Sequence, residues 1–174
     1  MTQLLAMQYK LLGNNFAVIA DLSKTYPIIL ASNFCSVDEL IDTSSIKDAK
    51  SGKLPELKTA LNGYENREFE LISKFKWTQT GPEFSRRIWQ EISKIKPGRT
   101  KTYLEIATNA GNPKATRAAG SACGKNAVPI FVPCHRVVPS TGGVGNYAGG
   151  AELKAQLLHH ENGMRQVQKP TSQK

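Results

Sequence analysis

Histidine and cysteine are scarce in this chain of 174 residues, and their positions are informative. The histidines stand at 135, 159 and 160 and the cysteines at 35, 123 and 134, with no Cys-x-x-Cys pair. The first half therefore holds one cysteine and no histidine, which excludes a structural zinc site there. An odd, widely spaced set of thiols argues against a disulfide framework and for free thiols in a reducing compartment. Long apolar runs are missing as well: nothing approaches the ~20 residues of a membrane span. The opening Met1-Thr2-Gln3-Leu4-Leu5-Ala6-Met7 lacks the charged segment and apolar length of a signal peptide.

Acidic residues are thin in one region only. Residues 1–78 carry nine Lys/Arg against nine Asp/Glu, whereas residues 79–174 carry fourteen against five, so the second part holds the whole net charge of +9. A basic surface kept for solubility alone does not predict this segregation. A polyanion partner for the basic part, most simply nucleic acid, accounts for it. With 40% hydrophobic residues the chain can bury a core, and its length fits one domain or two small ones.

Alternation predicts strands at Leu4–Leu12 and Phe16–Ala20 across a turn at Gly13-Asn14-Asn15, and a third at Tyr26–Ala31, where Pro27 marks an edge or a strand start. Ser36-x-x-Glu39 has the form of a capping box. Asp42–Lys53 reads as an exposed loop, and Pro55 and Asn62-Gly63 bracket a second helix. Phe69, Leu71, Phe75 and Trp77 share one parity against Glu68, Glu70, Lys74 and Lys76, which predicts a half-buried strand. Cys35 reads as a small core residue. The expected organisation is an α+β domain at 1–78, a linker beginning at Thr78-Gln79-Thr80-Gly81, a basic domain over 79–165 and a disordered polar tail at 166–174.

In the basic part, Pro82 opens a helix whose apolar residues Phe84, Ile88, Trp89, Ile92 and Ile95 recur at threes and fours, ended by Pro97-Gly98. Thr102-x-x-Glu105 caps a short helix that stops at Gly111. Asn112 as N-cap and Pro113 as first residue then open another running to Gly124. The pair has the form of a helix-turn-helix. Its second member is built of Ala115, Ala118, Ala119, Gly120, Ser121 and Ala122, with Lys114, Arg117 and Lys125 at its ends and exposed face, which suits close approach to a groove. Five glycines in the nine positions from Gly142 form a loop. Gly143-x-Gly145-x-x-Ala148 imitates a dinucleotide fingerprint, but the βαβ context is missing. A backbone that approaches a ligand closely is the better reading. A last helix, from about Gly150 to Asn162, buries Leu153, Leu157 and Leu158.

Chemistry concentrates at Val132-Pro133-Cys134-His135-Arg136-Val137. A free thiol is mostly protonated at neutral pH, and a neighbouring base removes that handicap. Consecutive side chains on a strand face opposite ways, so Cys134 and His135 can cooperate only if the chain turns there or a water links them. Glu161 lies at the carboxyl end of the last helix, where the macrodipole disfavours it by up to ~1 kcal/mol. Paired with His135, it would fix the imidazole's tautomer as the third member of a nucleophile–base relay.

The segment Pro133-Cys134-His135-Arg136-Val137, followed by Gly142-Gly143-Val144-Gly145-Asn146-Tyr147-Ala148-Gly149-Gly150, resembles the O6-alkylguanine-DNA alkyltransferases (methylated-DNA–protein-cysteine methyltransferases). Gly111-Asn112-Pro113-Lys114-Ala115-Thr116-Arg117 and Asn126-Ala127-Val128-Pro129 match too, so the resemblance is dense from about Pro82 to Gly163 and diffuse before it. It implies an α+β chain: a small ribonuclease-H-like α/β domain, then a winged helix-turn-helix-like domain. The implied reaction is irreversible transfer of the alkyl group of O6-alkylguanine, and to a lesser extent O4-alkylthymine, to Cys134. The thioether product is not hydrolysed, so each molecule acts once.

By the same resemblance Cys134, His135 and Glu161 form a Cys–water–His–Glu relay, Asn126 is the hinge asparagine and Tyr103 protonates the leaving base. The target base must be flipped out of the duplex. Arg117 fills its place, and Lys114, Ala115, Thr116, Ala118, Ser121, Lys125 and Arg136 contact double-stranded DNA through the minor groove. Pro129, Val144, Gly145, Tyr147, Ala148 and Gly149 form the base pocket. No metal or other cofactor is implied. The chain would be a cytoplasmic, nucleoid-associated monomer, nuclear in a eukaryote, with no membrane partner. It departs from the family at Ala148, often a serine, and at Ala127, usually a proline. The rival readings are a cysteine hydrolase, which predicts many turnovers, a sensor of alkylated DNA without a nucleophile, and a transcription factor with an unrelated sensor domain.

Overall fold

A computed structural model describes residues 3–162. The expected tail at 166–174 lies outside the described residues. The chain divides into two compact units. One runs through Gln79 and takes in Ala127–Phe131; the other comprises Thr80–Asn126 and the residues from Val132 on.

The first unit is a five-stranded sheet with helices. Strands β1 (Leu4–Leu11), β2 (Asn14–Asp21) and β3 (Ile28–Asn33) form an antiparallel meander. The turn between β1 and β2 is shorter than Gly13-Asn14-Asn15: Leu11 pairs with Asn14, leaving Leu12 and Gly13, both at positive φ, as a two-residue hairpin turn. Glu65 supports that strained Leu12 by accepting its N–H at 2.8 Å. Pro27 stands just before β3, as a strand start; it does not mark an edge, since Ile28 and Ile29 pair with β5 (Lys76–Trp77). On the far side β4 (Lys50–Ser51), within the stretch expected to be an exposed loop, pairs with β1. Helix α1 (Val37–Thr43) starts at the Ser36/Glu39 capping box and packs Leu40 against Ala6, Ala17, Ile19 and Ala31 of the sheet.

Helix α2 (Pro55–Glu65) begins at Pro55 but does not stop at Asn62-Gly63. Gly63 is a buried helical residue whose missing side chain makes room for Leu71. The strand expected over Phe69–Trp77 is mostly the short helix α3 (Glu70–Ser73), with only Lys76 and Trp77 extended. Ile72 decides this: alternation would expose it, yet it is the buried residue of the stretch. Ala127–Phe131 joins this unit through Ser32, whose N–H and hydroxyl donate to the carbonyls of Ala127 and Pro129 at 2.9 and 2.8 Å.

In the second unit α4 (Glu83–Ser93) buries Ile88, Trp89 and Ile92, and the Trp89 indole N–H donates to the Ala122 carbonyl at 2.8 Å. Strand β6 (Lys101–Thr102) leads into α5 (Tyr103–Asn109), which is capped by the Thr102/Glu105 box. Helix α6 (Thr116–Gly124) starts later than Asn112-Pro113 suggests. The Asn112 side chain accepts the Lys114 N–H and its carbonyl the Ala115 N–H, so Asn112 closes a turn ahead of the helix. A 3-10 turn at Cys134–Arg136, strand β7 (Val137–Val138) parallel to β6, and α7 (Ala151–Asn162) complete the unit.

A Gly63→Ala substitution tests the packing reading of that glycine, because a Cβ there would come 2.5 Å from Leu71 Cδ1. Helix propensity alone favours alanine by ~1 kcal/mol. Overpacking reverses the sign, and urea denaturation is expected to show a net loss of ~1–3 kcal/mol.

Candidate active site

The turn that Cys134 and His135 require is present. Arg136 N–H donates to the Pro133 carbonyl at 2.9 Å and Val137 N–H to the Cys134 carbonyl, giving one 3-10 turn over Cys134–Arg136. With three residues per turn the adjacent side chains need not diverge as they do on a strand. All three are buried.

His135 and Arg136 converge on Glu161, projected from the last turn of α7. Glu161 Oε1 lies 2.7 Å from His135 Nε2 and accepts from Arg136 Nη2 at 2.8 Å; Oε2 accepts from Arg136 Nε at 2.9 Å. The remaining Arg136 nitrogen, Nη1, donates to the Ile95 carbonyl at 2.6 Å. This is a bidentate guanidinium–carboxylate pair in a buried setting, among the stronger charge-assisted contacts a protein makes. Burial alone would push the Glu161 carboxyl up; His135 and Arg136 outweigh it and hold the group below the ordinary carboxylate range. Arg136 cannot lose its proton, so Glu161 stays ionised whatever the state of the imidazole. Burial drives His135 the other way, below its ordinary value, against the pull of Glu161. The cluster is therefore a carboxylate, a guanidinium and a neutral imidazole. Its carboxylate-facing Nε2 carries the hydrogen, leaving a lone pair on Nδ1, which is buried and has no protein partner.

Cys134 is 6% exposed, and its thiol receives a hydrogen bond from Asn126 Nδ2 at 3.1 Å; the same nitrogen donates to the Val132 carbonyl at 2.8 Å. Burial raises the thiol's pKa, while the Asn126 amide, the Lys154 ammonium and the backbone N–H groups of Cys134 and His135 act to lower it. These groups favour the thiolate specifically, so the site resists spontaneous ionisation and yet is furnished for it. Cys134 opens onto a cleft of about 860 Å³ lined by Tyr103, Thr116, Arg117, Gly120, Cys123 and Gly124 of α5 and α6 and by Pro139, Gly145, Asn146, Tyr147 and Ala148 of the glycine-rich loop. Gly145 has φ +73, and a Cβ there would come 2.8 Å from the Pro139 ring, so only glycine fits that bend. Burial raises the Tyr103 phenol to about 12, which keeps it a proton donor.

The expected residues separate on this geometry. Asn126 meets Cys134 and Glu161 meets the adjacent His135, and Tyr103, Arg117, Gly145, Tyr147 and Ala148 share the cleft with Cys134. Lys114, Thr116, Arg117, Ala118, Ser121 and Lys125 lie exposed on or beside α6, and Ala115 is half-buried at its start. Arg136 was expected on the DNA-contacting surface; it is instead internal, with its guanidinium spent on Glu161 and Ile95. Pro129, expected in the pocket, belongs to the other unit, where its carbonyl serves Ser32, and Val144 and Gly149 are not part of the cleft lining. Cys123 is half-buried in the cleft wall. Sequence reading missed Lys154, which is fully buried and donates to the carbonyls of Val137 at 2.6 Å and Asn146 at 3.3 Å. The available signal was its place on the helix face of Leu157, Leu158 and Glu161, three, four and seven residues on.

Two measurements probe the buried cluster. His135 is held below its ordinary 6.5 and Glu161 below its ordinary 4.5, so both bind fewer protons folded than unfolded. Stability is then full above about pH 6.5 and falls in two stages on acidification, below ~6.5 for His135 and below ~4.5 for Glu161. Urea titrations at a series of pH values would read both stages. Replacing Glu161 by Gln strands the Arg136 charge, and a loss of ~3–5 kcal/mol at pH 7 is expected.

Residues 83–163 match the family model described as 6-O-methylguanine DNA methyltransferase, DNA binding domain. The methylated-DNA–protein-cysteine methyltransferase of Methanosarcina mazei is 35% identical over 150 residues, covering 80% of this chain and 92% of the relative. The human protein of the same name is 51% identical over 79 residues, which are 45% of this chain and 38% of the relative. The Mycobacterium tuberculosis OGT, solved in complex with DNA, superposes with a TM-score of 0.73 at 24% identity, covering 90% of this chain and 92% of that one. The mixed α+β fold, a small sheet with several helices, is thus that of known members. The chain belongs to the methylated-DNA–protein-cysteine methyltransferase family.

Proposed function

We propose that this protein repairs DNA by moving the alkyl group of O6-alkylguanine, and to a lesser extent O4-alkylthymine, onto its own Cys134 in a single turnover. The observation that carries this is the buried thiol at a cleft, hydrogen-bonded by Asn126 and followed by an imidazole whose far nitrogen is fixed by an ionised Glu161.

In the proposed mechanism His135 Nδ1 takes the thiol proton through one bridging water, and Glu161 stabilises the imidazolium that forms. The thiolate displaces guanine from the saturated alkyl carbon: the S–C bond forms as the C–O6 bond breaks, and the electron pair moves into the purine. Tyr103, held protonated, donates to a ring nitrogen of the departing base. A thioether remains on Cys134. An acid–base relay does not hydrolyse a thioether, so the protein is consumed.

The reading extends to DNA. The small-sided α6 enters the minor groove, where sequence information is degenerate, as suits a repair protein that must search any sequence. Its exposed Lys114, Thr116, Arg117, Ala118, Ser121 and Lys125 face the duplex, with Ala115 at the start of the helix. Arg117 occupies the space of the flipped nucleotide, and backbone amides of the loop at Gly145, Tyr147 and Ala148 read the extruded base. The second unit is assigned as a winged helix-turn-helix, the first as ribonuclease-H-like, and the protein acts as a monomer wherever the cell keeps its DNA.

Incubation with duplex carrying O6-methylguanine is expected to raise the intact mass by one methylene per protein, mapped to Cys134. Cys134→Ala should bind the duplex and stay unlabelled. Release of product well beyond one equivalent would favour a cysteine hydrolase. Arg117→Ala should slow transfer from duplex far more than from a single strand, where unstacking costs little of the usual few kcal/mol.

A further inference from the structure

Lys154 is a buried cation with no counter-ion among the described residues. It lies on the inner face of α7 with no exposed surface, and its Nζ is held by two backbone carbonyls, Val137 just after the nucleophile's turn and Asn146 in the glycine-rich loop. Among the described residues no carboxylate pairs with it. Its Nζ also lies 5.9 Å from the centroid of the Tyr103 ring. An apolar residue in this stripe would avoid the desolvation of an ammonium, so a lysine here needs a reason beyond packing.

The charges around Cys134 supply one. From the same turn, Arg136 is neutralised by Glu161 of α7, and His135 is kept neutral by burial. From α5 and α6, Tyr103 and Cys123 are both pushed up to about 12 by burial, and from the loop Tyr147 is raised well above its ordinary value. All three are therefore uncharged at neutral pH. Arg117 lines the cleft but is exposed, so solvent screens it. Lys154 remains, a buried cation that no carboxylate among the described residues compensates.

We propose that Lys154 is a positioning residue of the site: its ammonium clamps the strand after the nucleophile to the glycine-rich loop and provides the uncompensated positive charge that favours the Cys134 thiolate. Burial lowers the Lys154 pKa, and the two thiols, Cys123 and Cys134, counter that by favouring its charged form. The imidazole then only has to accept a proton; the anion it leaves behind already has a partner. This deepens the alkyl-transfer reading, but it concerns the ionisation of one thiol and is measured without DNA.

The test follows the rate of Cys134 alkylation by iodoacetamide from pH 5 to 10, mapped by peptide mass, in the full chain and in its Lys154→Met and Lys154→Arg variants. The expected result for Lys154→Met is a midpoint shifted up by at least about one pH unit, hence a rate about tenfold lower at pH 7 that recovers at high pH. Lys154→Arg keeps the original midpoint. A Lys154→Met profile with the original midpoint, whether or not the rate is lower throughout, overturns the proposal. Should Lys154→Met fail to fold, the unaltered protein decides: side-chain NMR should show the Lys154 pKa falling once Cys134 is capped by methyl methanethiosulfonate, and an unchanged value overturns the proposal. Failure to take up methyl groups from DNA would sink the repair reading and leave this titration intact.

Discussion

The carboxylate of Glu161, buried between a guanidinium and an imidazole, is the interaction on which the site depends. Three elements meet there: α7 supplies the carboxylate, the 3-10 turn supplies His135 and Arg136, and Ile95, just beyond α4, takes the last guanidinium nitrogen. A carboxylate in such a place would normally favour its neutral form. Arg136 prevents that, because its charge is permanent and its two nitrogens fit the two oxygens. The imidazole inherits a fixed orientation from this pair, and the lone pair left on Nδ1 is what makes the neighbouring thiol useful.

Around this centre the site combines restraint with readiness. Burial favours the protonated Cys134 thiol and discourages indiscriminate reaction, which suits the single use proposed for it. The donors aimed at the sulfur, Asn126 and the adjacent backbone amides, favour its ionised form. Part of the cleft beyond it is lined by residues with little side chain, Gly120, Gly124, Gly145 and Ala148, which suits the proposed entry of a flat base. The phenol of Tyr103, kept protonated by the same burial, completes an environment in which a proton can leave one partner and reach another.

What was legible in the chain was whatever its chemistry expresses locally. Both capping boxes are present because Ser36 with Glu39, and Thr102 with Glu105, satisfy their helix ends within one turn. Cys134, His135 and Glu161 stood out through the family resemblance of the segments around them; alone, a Cys-His pair and a glutamate at a helix end would pass unremarked. Illegible features were those set by tertiary contact. The alternation at Phe69–Trp77 looked like a strand because nothing local announces that Ile72 is the buried residue. Arg136 was expected on DNA and Lys154 was missed, since only the folded chain shows one bound to Glu161 and the other held by the Val137 and Asn146 carbonyls. Strands β4, β6 and β7 are two residues each, too short for any periodicity.

The central claim is that the buried cluster holds His135 as a neutral imidazole with its hydrogen on Nε2. Nitrogen-15 NMR of histidine-labelled protein tests this directly. The account predicts that at pH 7 His135 shows a protonated Nε2 and an unprotonated Nδ1, with the imidazolium forming only below the ordinary 6.5. An imidazolium at pH 7, or the hydrogen on Nδ1, would contradict it.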